Sequence, residues 1–218
     1  MTYSLDILLD FHDLDWDWDE ETHEFLGSDM EAVLCLLVPT TSWWGSIELL
    51  TETWAPIFTL LLHTRTIGGS LAQLKSLHLE CCTVYFAHRG QIFEPAALGQ
   101  YLPLFGGEEV VMLRLREVTL MGVHINWHVP PFSNLTKLEL KNQAADVMPT
   151  IAELTEILVP SPNLEAVAIV ECGPQFIAAV SGDSGDPNGH ALLGLIALFH
   201  LPALSELTLE DIFASLRN

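Results

Sequence analysis

The chain has 218 residues, half of them hydrophobic, and a formal net charge of −21, from 8 lysines and arginines against 29 aspartates and glutamates. Its apolar content excludes disorder along the whole length, and the chain is long enough to bury a substantial core. Its charge lacks the cationic footprint that nucleic acids and anionic membrane surfaces select, so neither is expected as a partner.

Nothing in the first ten residues is typical of a targeting segment, because they carry two aspartates and no basic residue. The apolar stretches are too short for a membrane helix, which needs about 20 residues. The 4 cysteines fit neither a zinc ribbon nor a disulfide framework. Reduced cysteines in a cytoplasmic or nuclear protein are therefore expected, and no cofactor is expected.

The first predicted element is a strand that carries Leu5, Ile7 and Leu9. An acidic loop at about residues 12–28 follows it, and residues 30–38 are predicted to be helical. Carboxylates at 13, 15, 17, 19, 21 and 24 have the spacing of calcium-loop ligands. Trp18 stands where the sharp turn of that loop requires glycine, so a solvated acidic loop is the favoured interpretation.

Several later segments match the leucine-rich-repeat pattern L-x-x-L-x-L-x-x-N/C-x-L in whole or in part. The complete match spans residues 74–84. Shorter copies begin at Trp44, Leu115, Leu135, Leu164 and Leu204. Within each copy apolar residues alternate with residues of exposed types, which is the period-2 signal of a β-strand.

The irregular spacing of the copies leaves room for outer helices, which are predicted at residues 54–62, 94–98, 146–158 and 186–199. Between the copies at 115 and 135 only a loop fits, over residues 123–131. These elements predict an α/β fold, a leucine-rich-repeat-like solenoid (horseshoe) with a parallel inner sheet and outer helices or loops. A single irregular domain over residues 1–218 is expected, and truncation at both ends stays open.

Two motifs resemble catalytic or metal sites without completing them. The sequence Gly182-Asp-Ser-Gly185 resembles the nucleophile motif of trypsin-like proteases, but the histidine setting of that fold is missing, so a surface loop is predicted. His124 and His128 have the spacing of a zinc helix, but no glutamate lies between them and two prolines follow. Neither a catalytic residue nor a metal site is therefore predicted, and the chain is not expected to be an enzyme.

Four segments carry a family resemblance: Trp44-x-x-Ile47-x-Leu49, Leu74-Lys-Ser-Leu77-His-Leu79, Gly122 to Leu138, and Pro162-Asn-Leu-Glu-Ala-Val167. In them the chain resembles the fungal F-box/leucine-rich-repeat proteins, the predicted substrate receptors of ubiquitin ligases. The resemblance covers the repeat region only, since no F-box is seen before Leu5. It implies substrate recognition through the repeats, and docking to the ligase adaptor only if an F-box precedes this chain.

Partner-binding side chains are expected at the positions that alternate with the buried leucines on the inner sheet. The central positions are Glu48, His78, Thr119, Glu139, Ala168 and Thr208. They should form one mixed to acidic row that favours a basic protein partner. The predicted function is a non-catalytic protein–protein interaction module. Two alternatives stay open: a truncated paralogue or fragment without independent function, and an α/β enzyme, which would need a crevice at a topological switch point.

Overall fold

A computed structural model describes residues 4–12, 25–65, 71–82, 96–106, 112–128, 132–143, 147–171 and 201–210. The strands are β1 Leu5–Asp10, β2 Trp44–Thr51, β3 Ser76–Cys81, β4 Leu102–Pro103, β5 Glu117–Met121, β6 Ile125–Asn126, β7 Lys137–Lys141, β8 Ala166–Val170 and β9 Glu206–Glu210. The α-helices are α1 Gly27–Leu37, α2 Trp54–Thr64 and α3 Ile151–Leu158. The fold is mixed α/β, as the sequence predicts.

Seven of these strands form one open sheet in the order β1-β2-β3-β5-β7-β8-β9, and every pair is parallel. Each strand of this sheet therefore lies beside the sheet strand that comes next along the chain. β4 and β6 form a separate two-stranded ladder. The parallel sheet of the sequence prediction is thus present, and its strands occupy the repeat copies and the segment around Leu5–Leu9.

The sheet buries one of its faces. On β3, Leu77 and Leu79 are at most 1% exposed, whereas Ser76, His78 and Glu80 between and beside them are half-buried. β5, β7 and β8 show the same alternation. Their buried residues join those of the three α-helices in one continuous apolar core. Burying one such leucine contributes about 1.5–3 kcal/mol, so two per strand dictate which face turns inward.

A recurring backbone hydrogen bond aligns the amino ends of the strands. Residues just before each strand donate to their equivalents in the preceding unit: Lys75 to Gly45, Arg116 to Lys75, Thr136 to Arg116, Glu165 to Thr136, and Ser205 to Glu165, at 2.7–2.9 Å. In four of these units the leucine before the strand also closes a turn on the carbonyl three residues earlier. The shared turn is the reason that the repeat copies begin alike in sequence.

A residue with left-handed backbone directly follows each of three neighbouring strands of the large sheet. These residues are Gly122 after β5, Asn142 after β7 and Glu171 after β8, with φ between 49° and 61°. At Gly122 a Cβ atom would lie 2.5 Å from the carbonyl oxygen of Cys81. Only glycine fits this contact, because any side chain would overlap backbone of the neighbouring unit. The left-handed residue turns the chain away from the sheet.

Two helices begin at residues other than those predicted. α1 begins at Gly27, inside the predicted acidic loop, because the Asp29 carboxylate accepts a hydrogen bond from the Leu26 amide at 2.9 Å and caps the helix. α3 begins at Ile151 and not at residue 146. The Glu153 carboxylate accepts from the Thr150 amide while Thr150 Oγ1 accepts from the Glu153 amide, a capping box that fixes this start.

Two further predictions need correction. The helix expected at residues 94–98 is a single 3₁₀ turn, Ala96–Gly99, because the Leu98 carbonyl accepts from Trp54 Nε1 at 2.9 Å instead of from a following helical turn. The loop expected at 123–131 contains β6, since Ile125 and Trp127 are both buried. Residues 13–24, 94–95 and 186–199 lie outside the described residues. None of the described helices combines the length and apolarity needed to cross a membrane.

Candidate interaction surface

Alternate residues of the seven sheet strands form a surface that we call the inner face. None of its members is buried, whereas the residues between them on β2, β3, β5, β7 and β8 all are. The inner face consists of Asp6, Leu8, Asp10, Ser46, Glu48, Leu50, Ser76, His78, Glu80, Glu117, Thr119, Met121, Lys137, Glu139, Lys141, Ala166, Ala168, Val170, Glu206, Thr208 and Glu210.

The structure aligns all six predicted contact positions in one row across this face. In strand order the row reads Leu8, Glu48, His78, Thr119, Glu139, Ala168 and Thr208. Each residue is the register partner of the next, and neighbouring strands in a sheet lie about 4.8 Å apart. Sequence analysis missed Leu8, which is 62% exposed. The row is therefore a continuous strip with an apolar residue at its β1 end.

His78 is not the freely exposed contact that the sequence predicts. Its Nδ1 lies 3.2 Å from Glu48 Oε1, and its Nε2 lies 3.1 Å from Glu80 Oε2. The imidazole is 30% exposed and sits between the two carboxylates. A single histidine on a parallel strand can reach a carboxylate on the neighbouring strand and another two residues along its own, because all three point to the same face. The three side chains therefore act as one polar unit.

Glu139 is bound by two lysines of its own strand, which changes the charge expected of the row. Lys137 Nζ lies 2.9 Å from one carboxylate oxygen and Lys141 Nζ lies 2.8 Å from the other. Burial raises the pKa of Glu139, but the hydrogen bonds and charges of Lys141 and Lys137 outweigh it and hold that pKa below its ordinary value. β7 thus carries two positive charges and one negative charge, a formal net charge of +1, and Glu139 is a poor contact for a basic partner.

The remaining charge on the inner face is negative and lies on both sides of β7. Carboxylates outnumber lysines by eight to two on this face, and both lysines are bound to Glu139. Glu117 on β5 and Glu206 and Glu210 on β9 are exposed. The face therefore presents two acidic zones separated by β7 and by the small apolar side chains of β8.

A cluster that sequence analysis missed lies beyond the carboxyl ends of β1 and β3. His12 Nε2 is 3.1 Å from Cys82 Sγ, and the Cys82 thiol donates to Glu80 Oε1 at 3.4 Å. Burial, with the charge and hydrogen bond of Glu80, raises the pKa of Cys82 to about 12. A thiol that stays protonated at neutral pH is a poor nucleophile, so the cluster does not support cysteine catalysis. Cys82 occupies the N/C position of the complete repeat match, the one sequence signal that marks it.

The two histidines that have zinc-helix spacing flank β6, His124 just before it and His128 in the turn after it, and they face different neighbours. His124 is buried, with its ring 5.1 Å from that of Trp54. His128 is exposed, with Nδ1 2.9 Å from Glu153 Oε1. The structure does not bring them together. The Gly182–Gly185 segment and the carboxylates at 13–24 lie outside the described residues.

Comparison with known proteins returns no relative of this chain. No protein-family model matches it, no curated protein is detectably similar to it, and no solved structure matches its fold. The inner face and the cluster beside it are therefore the features from which a function is inferred.

Proposed function

We propose that the chain is a non-catalytic protein-interaction module of the leucine-rich-repeat type, a solenoid whose inner face binds a basic segment of a partner protein. One observation carries the proposal: among the described residues, a seven-stranded parallel sheet has one face buried and the other lined mostly by half-buried and exposed polar side chains. Parallel sheets are usually covered on both faces, and their strands are then continuously apolar. A parallel sheet that stays open on one face is suited to binding.

The strand order supports a solenoid over an enzyme. Each described sheet strand is added beside its predecessor, so the order never reverses among the described residues. An α/β enzyme of the doubly wound type binds its substrate in the crevice that such a reversal creates. Recurring backbone bonds support the proposal of a unit repeated with variation, as in repeat proteins; their donors are Lys75, Arg116, Thr136, Glu165 and Ser205.

The negative charge of the inner face favours a partner segment that is positively charged. Glu117, Glu206 and Glu210 are exposed and lack the lysine pairing that neutralises Glu139. Complementary potentials favour a lysine- or arginine-rich segment laid across the strands. Because these carboxylates are exposed, added salt should weaken the binding.

The resemblance to fungal F-box/leucine-rich-repeat proteins extends the proposal to substrate recognition for a ubiquitin ligase. This extension is supported by the repeat segments around Trp44, Leu74 and Leu164. The first begins strand β2, and the other two lead into strands β3 and β8 of the sheet. Docking to the ligase adaptor would require an F-box that precedes this chain. The inner face would then choose which proteins are ubiquitinated.

Selection of random peptides displayed on phage tests the proposed function. The bait is the full chain, and the enriched peptides are expected to carry an excess of lysine and arginine. A double variant, Glu117→Lys with Glu206→Lys, should lose these peptides while keeping the fold, because both side chains are exposed on the inner face.

The matched control is Glu31→Lys with Glu156→Lys, which makes the same change of net charge on exposed positions of α1 and α3. The control should select the same basic peptides as the parent. If both double variants lose binding equally, attraction is non-specific and the inner face has no particular role. Enrichment of peptides without basic residues would contradict the proposed partner chemistry.

A further inference from the structure

The cluster beyond β1 and β3 combines three metal-binding atom types at one place. Asp10 is level with Leu50 of β2, and Leu50 is level with Glu80 of β3. His12 and Cys82 each come two residues later, so chain alternation carries them to the same side as Asp10 and Glu80. An imidazole, a carboxylate and a thiol from segments 70 residues apart thereby converge across the end of β2.

The distances suit a tetrahedral ion. His12 Nε2, one Glu80 carboxylate oxygen and Cys82 Sγ all lie within 4.8 Å of one another. Nε2 and Sγ are 3.1 Å apart, and Sγ and Glu80 Oε1 are 3.4 Å apart. Ligands of tetrahedral zinc, with bonds of about 2.0–2.3 Å, are separated by about 3.5 Å. An ion can therefore be accommodated with small side-chain rotations.

The groups behind the ligands hold them in the orientation that a metal requires. Asp10 Oδ1 lies 2.9 Å from His12 Nδ1. The carboxylate accepts a hydrogen bond from Nδ1–H, and in this tautomer Nε2 carries its lone pair toward Cys82. This carboxylate–histidine arrangement recurs behind metal-bound histidines. The second oxygen of Glu80 is engaged by His78 Nε2 at 3.1 Å. Ligating carboxylates are commonly supported in the same way.

The donor set favours zinc over other common ions. Calcium and magnesium take oxygen ligands, whereas a mixed set of imidazole nitrogen, thiolate sulfur and carboxylate oxygen suits Zn²⁺. In the metal-free cluster a nitrogen lone pair, a carboxylate and a sulfur atom face each other with only the thiol hydrogen between them. A divalent cation would satisfy all three at once and displace that hydrogen as a proton.

We infer that His12, Glu80 and Cys82 form a site for one Zn²⁺ ion, bound through Nε2, a carboxylate oxygen and Sγ. Asp10 is a positioning residue for His12. Three protein ligands leave one coordination position for water or for a group from a partner. The ion joins the segment after β1 to the end of β3 and so fastens the first strand onto the sheet.

Titration of the metal-free full chain with Co²⁺, followed by displacement with Zn²⁺, tests this site. The parent should show a thiolate-to-cobalt charge-transfer band, bind one Zn²⁺ per chain by elemental analysis, and gain thermal stability with zinc. Cys82→Ser should abolish the band, and His12→Gln should weaken zinc binding by more than about 100-fold. Asp10→Asn removes only the supporting charge and should weaken it by about 10–100-fold.

The matched control is Cys35→Ser, which removes an exposed cysteine on α1 and should leave the band and the zinc affinity unchanged. Circular dichroism confirms that each variant keeps the fold. A cobalt spectrum without a thiolate band, or a band that persists in Cys82→Ser, would overturn the assignment. Equal zinc affinity in parent and His12→Gln would do the same, because it would place the ion elsewhere in this acidic chain.

Discussion

At the scale of single residues, Gly122 has the most constrained backbone position among the described glycines. Its φ is 61°, and an added Cβ would lie 2.5 Å from the Cys81 carbonyl oxygen. We expect Gly122→Ala to lower the free energy of unfolding by roughly 1–3 kcal/mol, from the left-handed conformation and the overlap with backbone. Urea unfolding measures this change.

The control for this prediction is Asn142→Gly. Asn142 has a similar left-handed backbone, with φ of 49°, and lies one unit further along the sheet. Removing its side chain adds no overlap, so stability should change by no more than about 0.5 kcal/mol. A Gly122→Ala variant as stable as the parent would show that the unit can shift away from Cys81.

Glu139 should make part of the stability depend on pH. Its pKa in the folded chain lies below the ordinary value of 4.5, so the stabilisation is fully present above pH 4.5 and is lost as the pH falls toward the folded pKa. The difference in unfolding free energy between parent and Glu139→Gln should therefore shrink on acidification below pH 4.5. Unfolding measured across this pH range provides the test.

A second background isolates the cause of this dependence. When Lys137 and Lys141 are both replaced by methionine, burial remains and the two ion pairs are lost. Burial should then raise the pKa of Glu139 above its ordinary value, so the acid-dependent difference should reverse its sign. A difference that keeps its sign without the lysines would assign the effect to another carboxylate.

At the scale of secondary-structure elements, the two faces of the sheet should respond oppositely to the same substitution. Leu138 on β7 is 0% exposed, whereas Leu8 on β1 is 62% exposed on the inner face. Leu138→Ala should cost about 2–5 kcal/mol of stability through lost burial and the cavity left behind. Leu8→Ala should change stability by no more than about 0.5 kcal/mol.

Chemical denaturation of both variants gives the comparison directly. Equal losses would mean that the inner face is covered, since only a packed Leu8 could cost as much as Leu138. A small loss at both positions would contradict the register that turns Leu138 into the core.

The strands could be predicted from the sequence because each carries two apolar residues at positions i and i+2, and several are preceded by a comparable turn. Parallel pairing then aligns Leu77 with Val118 and Leu138 without any further information. Helix starts were less predictable. The start of α3 depends on a capping box at Thr150, and the 3₁₀ turn at Ala96–Gly99 depends on a bond from Trp54, which is distant in sequence.

At the scale of the whole molecule, the alignment of the contact residues in one row across the inner face could be predicted, but the hydrogen bonds and ion pairs of those residues could not. Period-2 alternation places Thr119 and Ala168 on the inner face, but it cannot show that Glu139 is neutralised by two lysines or that His78 lies between two carboxylates. The zinc cluster was missed for a related reason. Its ligands come from segments 70 residues apart, and only the sheet order brings their strands to within one strand of each other.

The two faces of the sheet therefore differ in composition. One face holds the core with leucine, isoleucine and valine, and the other carries eight carboxylates that contribute little to packing. Surface charges of this kind usually add little stability even when paired, and we propose that those on this face serve recognition. A basic segment across this face would contact several units at once.

Carboxylate footprinting tests the role of the inner face most directly. The full chain is labelled with a carbodiimide and an amine, with and without a saturating basic peptide from the phage selection, and modification is read at each residue by mass spectrometry. The peptide should protect Glu117, Glu206 and Glu210 while Glu31 and Glu156 on the helices stay equally reactive. Protection of Glu31 and Glu156 with no change at the three inner-face carboxylates would contradict the proposed binding surface.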